Sequence, residues 1–117
     1  MESDRALALA QELDDSFVTT GHLSGRLHCM PIVAKDDYDH VDFPTTSSSV
    51  VFAECYPSGT SPVISVLENE GAIMLGKTNL PDFTVGNSSV MSSTSTLIGA
   101  TKNAYVSARS PYGSSGG

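Results

Sequence analysis

Ser61-Pro62-Val63-Ile64-Ser65-Val66-Leu67-Glu68-Asn69-Glu70-Gly71-Ala72-Ile73-Met74-Leu75-Gly76-Lys77 is the stretch that decides the fold class. Ser61 followed by Pro62 is a helix start. The serine can cap, and the proline occupies the first helical position, where an N–H has no intrahelical partner anyway. Val63, Ile64, Val66 and Leu67 follow, and Gly71 stops the helix. Ala72 to Lys77 then reads as a buried strand. Helix, glycine and apolar strand make the second half of a strand-helix-strand crossover, which predicts an α/β architecture.

Working toward the N-terminus, residues 3–17 read as an amphipathic helix capped by Ser3. Leu7, Ala10, Leu13 and Phe17 recur at three- and four-residue spacing. Gly21 to Gly25 breaks that pattern. Leu27 to Lys35 reads as a short, mostly buried strand entered through Pro31. Asp36-Asp37-Tyr38-Asp39 is an acidic turn at its carboxyl end, and Asp42 to Ser49 is loop-like, with Pro44 followed by five hydroxyl residues. Working toward the C-terminus, the character changes at Thr84. Ser and Thr dominate, and residues 84–117 hold at most one regular pattern, Val90 to Ile98. Such a stretch is either a disordered tail or a loop system around a substrate site. The expected organisation is one partial domain: a helix and linker over 1–24, an α/β portion over 25–83, and a Ser/Gly-rich loop region over 84–117.

The 117 residues carry 13 acidic and 6 basic side chains, for a net charge of −7. No basic cluster offers nucleic acid an electrostatic footprint, and an anionic membrane surface would repel the chain. The acidic excess aids solubility. Cys29 and Cys55 belong to no Cys-x-x-Cys or Cys/His cluster and read as free thiols of a reducing compartment. The start Met1-Glu2-Ser3-Asp4-Arg5 is unlike a secretory signal, and the apolar runs fall far short of the ~20 residues that span a bilayer. The expected location is the cytoplasm.

Several residues carry possible chemistry. Lys35 closes a short apolar strand and by itself is a surface lysine or a base. Gly71 to Lys77 has phosphate-loop spacing, but Ala72 to Leu75 is an apolar strand where that loop needs an exposed turn. His22, His28 and His40 lack metal spacing, and His28 reads as a hydrogen-bonded structural residue. Asp36, Asp37, Asp39 and Asp42 lack the glycine and terminal glutamate of a calcium loop. Asn79 and Asp82 read as site-wall or turn-capping residues, with the cap the preferred role. Neither a metal nor another cofactor is expected.

Four segments in order resemble the amidase signature family. Gly25-Arg26-Leu27-His28-Cys29-Met30-Pro31 with Lys35-Asp36-Asp37 is similar to its G-x-LHGIP…KD segment. Glu70 to Phe83 is similar to AGAxxLGKTNLxEF. Gly99-Ala100-Thr101-Lys102-Asn103 is similar to the GxTRN turn, and Tyr112-Gly113-Ser114-Ser115-Gly116-Gly117 to GGSSGG. All four stand in register over residues 25–117. The departures are Cys29 and Tyr112 in place of glycines and Ala104 in place of a proline. Each loses a residue with special backbone freedom or constraint.

The resemblance implies a Ser–cis-Ser–Lys triad that hydrolyses carboxamides, on a mixed sheet flanked by helices of which this chain is the N-terminal part. Lys35 would be the base. A lysine serves as one only when neutral, and an apolar setting disfavours the ammonium form; Ile32, Val33 and Ala34 supply such an approach. Asp36 would point to the opposite face and need not pair with the lysine. Ser114 would bridge lysine and nucleophile, with Gly113, Ser115 and Gly116 supporting the loop. The nucleophilic serine and its oxyanion loop would lie beyond Gly117, so the expectation is a chain inactive alone. The alternative is a non-catalytic, truncated amidase-like protein acting as an interaction partner or surviving only as an unstable product. A full-length form would take a small-molecule amide, whose identity the residues do not reveal. The strands near Val33 and Met74 would keep open edges through which the chain could self-associate.

Overall fold

The computed structural model of the chain describes residues 3–84, 94–109 and 111. The expected elements are present with shifted bounds. Helix α1 spans Ser3–Thr20, strand β1 Pro31–Lys35, helix α2 Pro62–Asn69 and strand β2 Ile73–Thr78. Two short strands follow, β3 at Thr94–Ser95 and β4 at Gly99–Ala100. This is a mixed helix and strand fold of the α/β class. The chain forms two compact units: Met1–Ala34 with Thr60–Lys77, and Lys35–Gly59 with Thr78–Gly117.

In the first unit α1 turns a different stripe inward from the one its spacing suggests. Ala6 is buried and Leu9, Ala10 and Leu13 are half-buried, whereas Leu7 is 69% exposed. Spacing marks an apolar face, but when Leu7 and Leu9 compete, the neighbouring element decides which one is covered. The helix runs three residues past the expected end and stops at Gly21, whose φ of 71° lets its N–H reach Phe17 O at 2.8 Å. That left-handed exit is the cheap one for glycine.

Residues 27–29 are not strand. The His28 N–H donates to Gly25 O and the Met30 N–H to Leu27 O, closing tight turns, and Cys29 takes φ 59°. β1 therefore begins only at Pro31. These turns lie directly on the exit of α2. Leu27 N–H donates to Glu70 O at 2.8 Å, Cys29 N–H to Gly71 O at 2.9 Å, and Arg26 N–H to the Glu70 carboxylate at 2.9 Å. Two glycines permit the approach. A Cβ on Gly25 would lie 2.5 Å from Glu70 O, and one on Gly71, which has φ 91°, 2.8 Å from His28 Cα.

α2 starts where Ser61-Pro62 indicated, although the Ser61 side chain makes no capping bond. Its inward residue is Ile64. β1 and β2 pair in a two-stranded sheet. At one end the Ile73 N–H donates to Met30 O, and at the other the Asp36 N–H donates to Thr78 O. Both strands advance between those bonds, so they run parallel, as a crossover through a helix requires. Met74 is completely buried and Val33 is 57% exposed. Met74 is thus fully covered, while Val33 faces outward. Arg5 ties α1 to this core, donating to Met74 O at 3.4 Å and standing 3.8 Å from the Glu68 carboxylate.

In the second unit β3 and β4 pair antiparallel, with Thr94 opposite Ala100 and Ser95 opposite Gly99. Among the described residues the unit also holds a 3-10 turn at Val50–Phe52 and a tight turn at Asp82–Thr84 whose Phe83 departs from helical geometry. Of the expected pattern over Val90 to Ile98, residues 90–93 lie outside the described residues. Among the described residues no helix is long and apolar enough to cross a membrane.

Candidate functional site

β1 ends on Lys35, and the chain turns at once: the Tyr38 N–H donates back to Lys35 O at 3.0 Å. Three residues around that turn have three different surroundings. The Lys35 side chain is 19% exposed, and its Nζ lies 3.3 Å from Asp37 Oδ2. Asp36 is buried, at 7% exposure, and turns into the loop that follows. Its carboxyl group accepts from the Thr46 hydroxyl, from the Ser48 N–H at 2.9 Å and from the Thr46 N–H at 3.5 Å. The expected parting of Lys35 from Asp36 is therefore seen. The dry approach to Lys35 is not: Val33 is exposed, and a carboxylate faces the ammonium.

Asp37 is clamped from three sides. Thr84 Oγ1 donates to Oδ2 at 2.6 Å, Ser47 Oγ donates to Oδ1 at 3.0 Å, and Lys35 completes the set. Burial pushes its carboxyl group up, but the Thr84 and Ser47 hydroxyls and the Lys35 ammonium together outweigh it, so the net shift is below the usual carboxylate range.

Ser48 is the hub behind this turn. Its side chain is 1% exposed, donates to Asn79 Oδ1 at 2.9 Å and accepts from the Leu80 N–H at 2.9 Å. Its carbonyl accepts from Ser95 Oγ at 2.6 Å and from the Leu97 N–H at 3.3 Å. Asn79 extends the chain, donating from Nδ2 to Gly99 O at 3.1 Å and to Thr101 Oγ1 at 2.8 Å. Asn79 is thus a cross-link between segments, not the turn cap its type suggests. Asp82 likewise reaches across to accept from the Thr96 N–H at 2.8 Å. Three of the four segments that carry the resemblance meet through these bonds: Lys35-Asp36-Asp37, Lys77-Thr78-Asn79 and Gly99 to Asn103. Past that last turn, Asn103 Oδ1 accepts from the N–H groups of Tyr105 and Val106, closing the chain where Ala104 replaces proline.

Backbone strain gathers at the same place. Among the described residues five non-glycines have positive φ, and four of them are Ser47 at 45°, Ser48 at 55°, Phe83 at 53° and Thr84 at 61°. The two pairs are bonded to each other, Phe83 N–H to Ser47 O at 3.0 Å. A left-handed L-residue costs ~1–2 kcal/mol, so this much strain persists only where surrounding bonds over-determine it. Spacing and composition mark Thr46, Ser47 and Ser48 only as part of a polar loop. The one signal available is a run of five hydroxyls, Thr45 to Ser49, in which Thr46 and Ser47 stand ten residues after Asp36 and Asp37.

Gly113, Ser114, Ser115 and Gly116 lie outside the described residues, as does Tyr112. His28 behaves as expected, its Nδ1 accepting from the Ser24 N–H at 3.2 Å. Both cysteines are free thiols.

Comparison with known proteins joins this geometry to a family. The amidase family model matches residues 1–117. A glutamyl-tRNA(Gln) amidotransferase subunit from Gloeobacter violaceus is 38% identical over 97% of this chain, and an amidase of Gibberella zeae is 37% identical over 95%. The chain spans 22% and 20% of the length of those two relatives. Among solved structures, the native peptide amidase of Stenotrophomonas maltophilia superposes with a TM-score of 0.82 at 34% identity, covering 93% of this chain and 22% of that one. A fatty acid amide hydrolase superposes with a TM-score of 0.77 at 29% identity, covering 86% and 17%. With a family match along the whole chain and a partial fold superposing on its solved members, this chain belongs to the amidase family.

Proposed function

We propose that residues 1–117 form the lysine-bearing part of a carboxamide hydrolase, with Lys35 as the base and Ser114 as the serine that relays its proton. The observation that supports this reading is the placement of Lys35. It stands at the carboxyl end of a parallel strand, 19% exposed, and its partner Asp37 is bonded to Ser47 and Thr84, two of the residues with positive φ. Catalytic groups in α/β folds gather at such strand ends. In the proposed chemistry a serine oxygen attacks the amide carbonyl and its proton passes through the Ser114 hydroxyl to Lys35 Nζ. The proton then returns to the leaving amine, and water releases the acyl group as a carboxylic acid. Gly113, Ser115 and Gly116 would shape the loop that holds Ser114. Before the proton transfer the Lys35 ammonium must give a proton to solvent and exchange its bond to Asp37 for one to Ser114, because only the neutral amine can accept the serine's proton.

The attacking serine is not among residues 1–117 in this reading, so the 117-residue polypeptide has no activated nucleophile. Incubation with a fluorophosphonate probe should label no serine. Stoichiometric labelling that disappears on Ser114→Ala or Ser115→Ala would overturn the assignment. A positive test grafts these residues in place of the matching 22% of the peptide amidase. The chimera should hydrolyse peptide amides, and Lys35→Ala or Ser114→Ala should cost between ~10³ and ~10⁶ in rate, the scale of triad removal. An active chimera indifferent to Lys35→Ala would end the proposal.

A further inference from the structure

In the first unit three side chains of different chemistry converge. Ligand atoms of Asp14, His28 and Cys29 all lie within 4.8 Å of one another. Asp14 comes from the exposed face of α1, and His28 and Cys29 from the turns before β1. We propose that Asp14, His28 and Cys29 form a binding site for a divalent transition metal of the zinc class.

Two independent features support it. The first is backbone geometry. Side chains of consecutive residues in an extended chain diverge, but Cys29 has φ 59°, a left-handed conformation that swings its thiol back beside His28. It is the only non-glycine outside the second unit with positive φ among the described residues. The strain is held by Cys29 N–H donating to Gly71 O and Met30 N–H to Leu27 O. An outlier that a glycine would relieve, carrying a metal-ligating side chain toward two others, is the kind of strain that accompanies a site.

The second is spacing and ligand chemistry. Cys29 Sγ and Asp14 Oδ1 are 3.7 Å apart, the thiol donating to the carboxylate. Metal bonds of ~2.3 Å to sulfur and ~2.0 Å to oxygen at a tetrahedral angle separate the two atoms by about 3.5 Å. The pair already stands close to that distance. The His28 ring is steadied against Phe17, one helical turn beyond Asp14, with centroids 6.0 Å apart. Thiolate, imidazole and carboxylate suit zinc or its neighbours, and not calcium or magnesium, which take oxygen. Three protein ligands with Asp14 exposed leave a fourth position for water. On binding, sulfur gives its proton to solvent and forms the S–metal bond. Because His28 Nδ1 accepts from the Ser24 N–H at 3.2 Å, loading costs that one long bond, whether the metal takes Nδ1 or takes Nε2 with the proton moved to Nδ1.

Cobalt(II) titration of the 117-residue chain tests the site. Binding should produce a thiolate-to-cobalt charge-transfer band and the visible spectrum of a tetrahedral ion. Zinc should abolish both and raise the melting temperature. Cys29→Gly suits φ 59° and should fold at least as well as the parent, yet it should lose the band. Asp14→Asn and His28→Asn should weaken cobalt binding at least ~10-fold, and Cys55→Ser should bind as the parent does. A folded chain that shows no band at millimolar cobalt, a band that survives in Cys29→Gly, or one lost in Cys55→Ser would overturn the proposal.

Discussion

The two units of this chain are held together by opposite kinds of interaction. Among the described residues, most of the buried apolar ones, Ala6, Ala34, Ile64, Ala72, Ile73 and Met74, lie in the first unit, and Phe43, Leu80 and Pro81 lie in the second. The buried polar ones, Asp36, His40, Thr46, Ser48, Ser49 and Ser95, all lie in the second. No buried side-chain nitrogen or oxygen among the described residues lacks a partner. Apolar burial is non-directional and forgives changes of shape at constant volume. A satisfied polar network is directional, and each missing member strands its partners in a medium poorer in water. The first unit should therefore behave as a scaffold and the second as a set position.

The sharpest way to break that contrast is Asp36→Ala. It removes the acceptor of two backbone N–H groups and one hydroxyl. The expected loss is ~3–5 kcal/mol, larger than a single hydrogen bond because buried donors are left unmet. Urea unfolding would measure it, and a loss under ~1 kcal/mol would mean that the second unit does not depend on its network. In the first unit Met74→Ala should cost ~2–4 kcal/mol through the cavity it leaves, whereas Met74→Leu should stay below ~1.5 kcal/mol. If the conservative swap cost as much as the truncation, the first unit would be as exacting as the second.

Smaller effects sharpen the picture. Cys29→Gly should stabilise the chain by ~1 kcal/mol, the strain of one left-handed residue, seen as a higher denaturation midpoint without metal. The smallest effect concerns pH. The Asp37 carboxyl titrates below its unfolded value, so its contribution is complete above about pH 4 and fades as pH falls through the folded value. The stability difference between the parent and Asp37→Asn should accordingly be constant near neutrality and shrink only in acid. A difference that grew on acidification would reverse the sign and discard the clamp.

Much of the first unit is legible in the residues. Ser61-Pro62 and Gly71 bracket α2, and the apolar run after Gly71 is β2, because proline, glycine and continuous apolar runs act through local backbone physics. The inward stripe of α1 and the start of β1 differ from what spacing predicts. In both cases a partner element decides: which leucine is covered, and how turns docked on Glu70 and Gly71 hold back the strand. The second unit is legible only as motifs in a row. Lys35, Asn79 and the turn at Thr101 stand out through their resemblance to a family, while Thr46 and Ser48 look like ordinary loop hydroxyls.

What the sequence determined by itself is the α/β class, the family, and the position of Lys35 at a strand end, since these rest on periodicity, turn chemistry and motif order. Only the tertiary structure decided that Asp36 serves the loop and Asp37 serves the lysine. It also decided that Ser48 joins segments far apart in the chain, and that Asp14 meets His28 and Cys29. Hydrogen bonds and ligand clusters depend on distances of a few ångströms between atoms distant in sequence, and spacing along the chain carries no record of those distances.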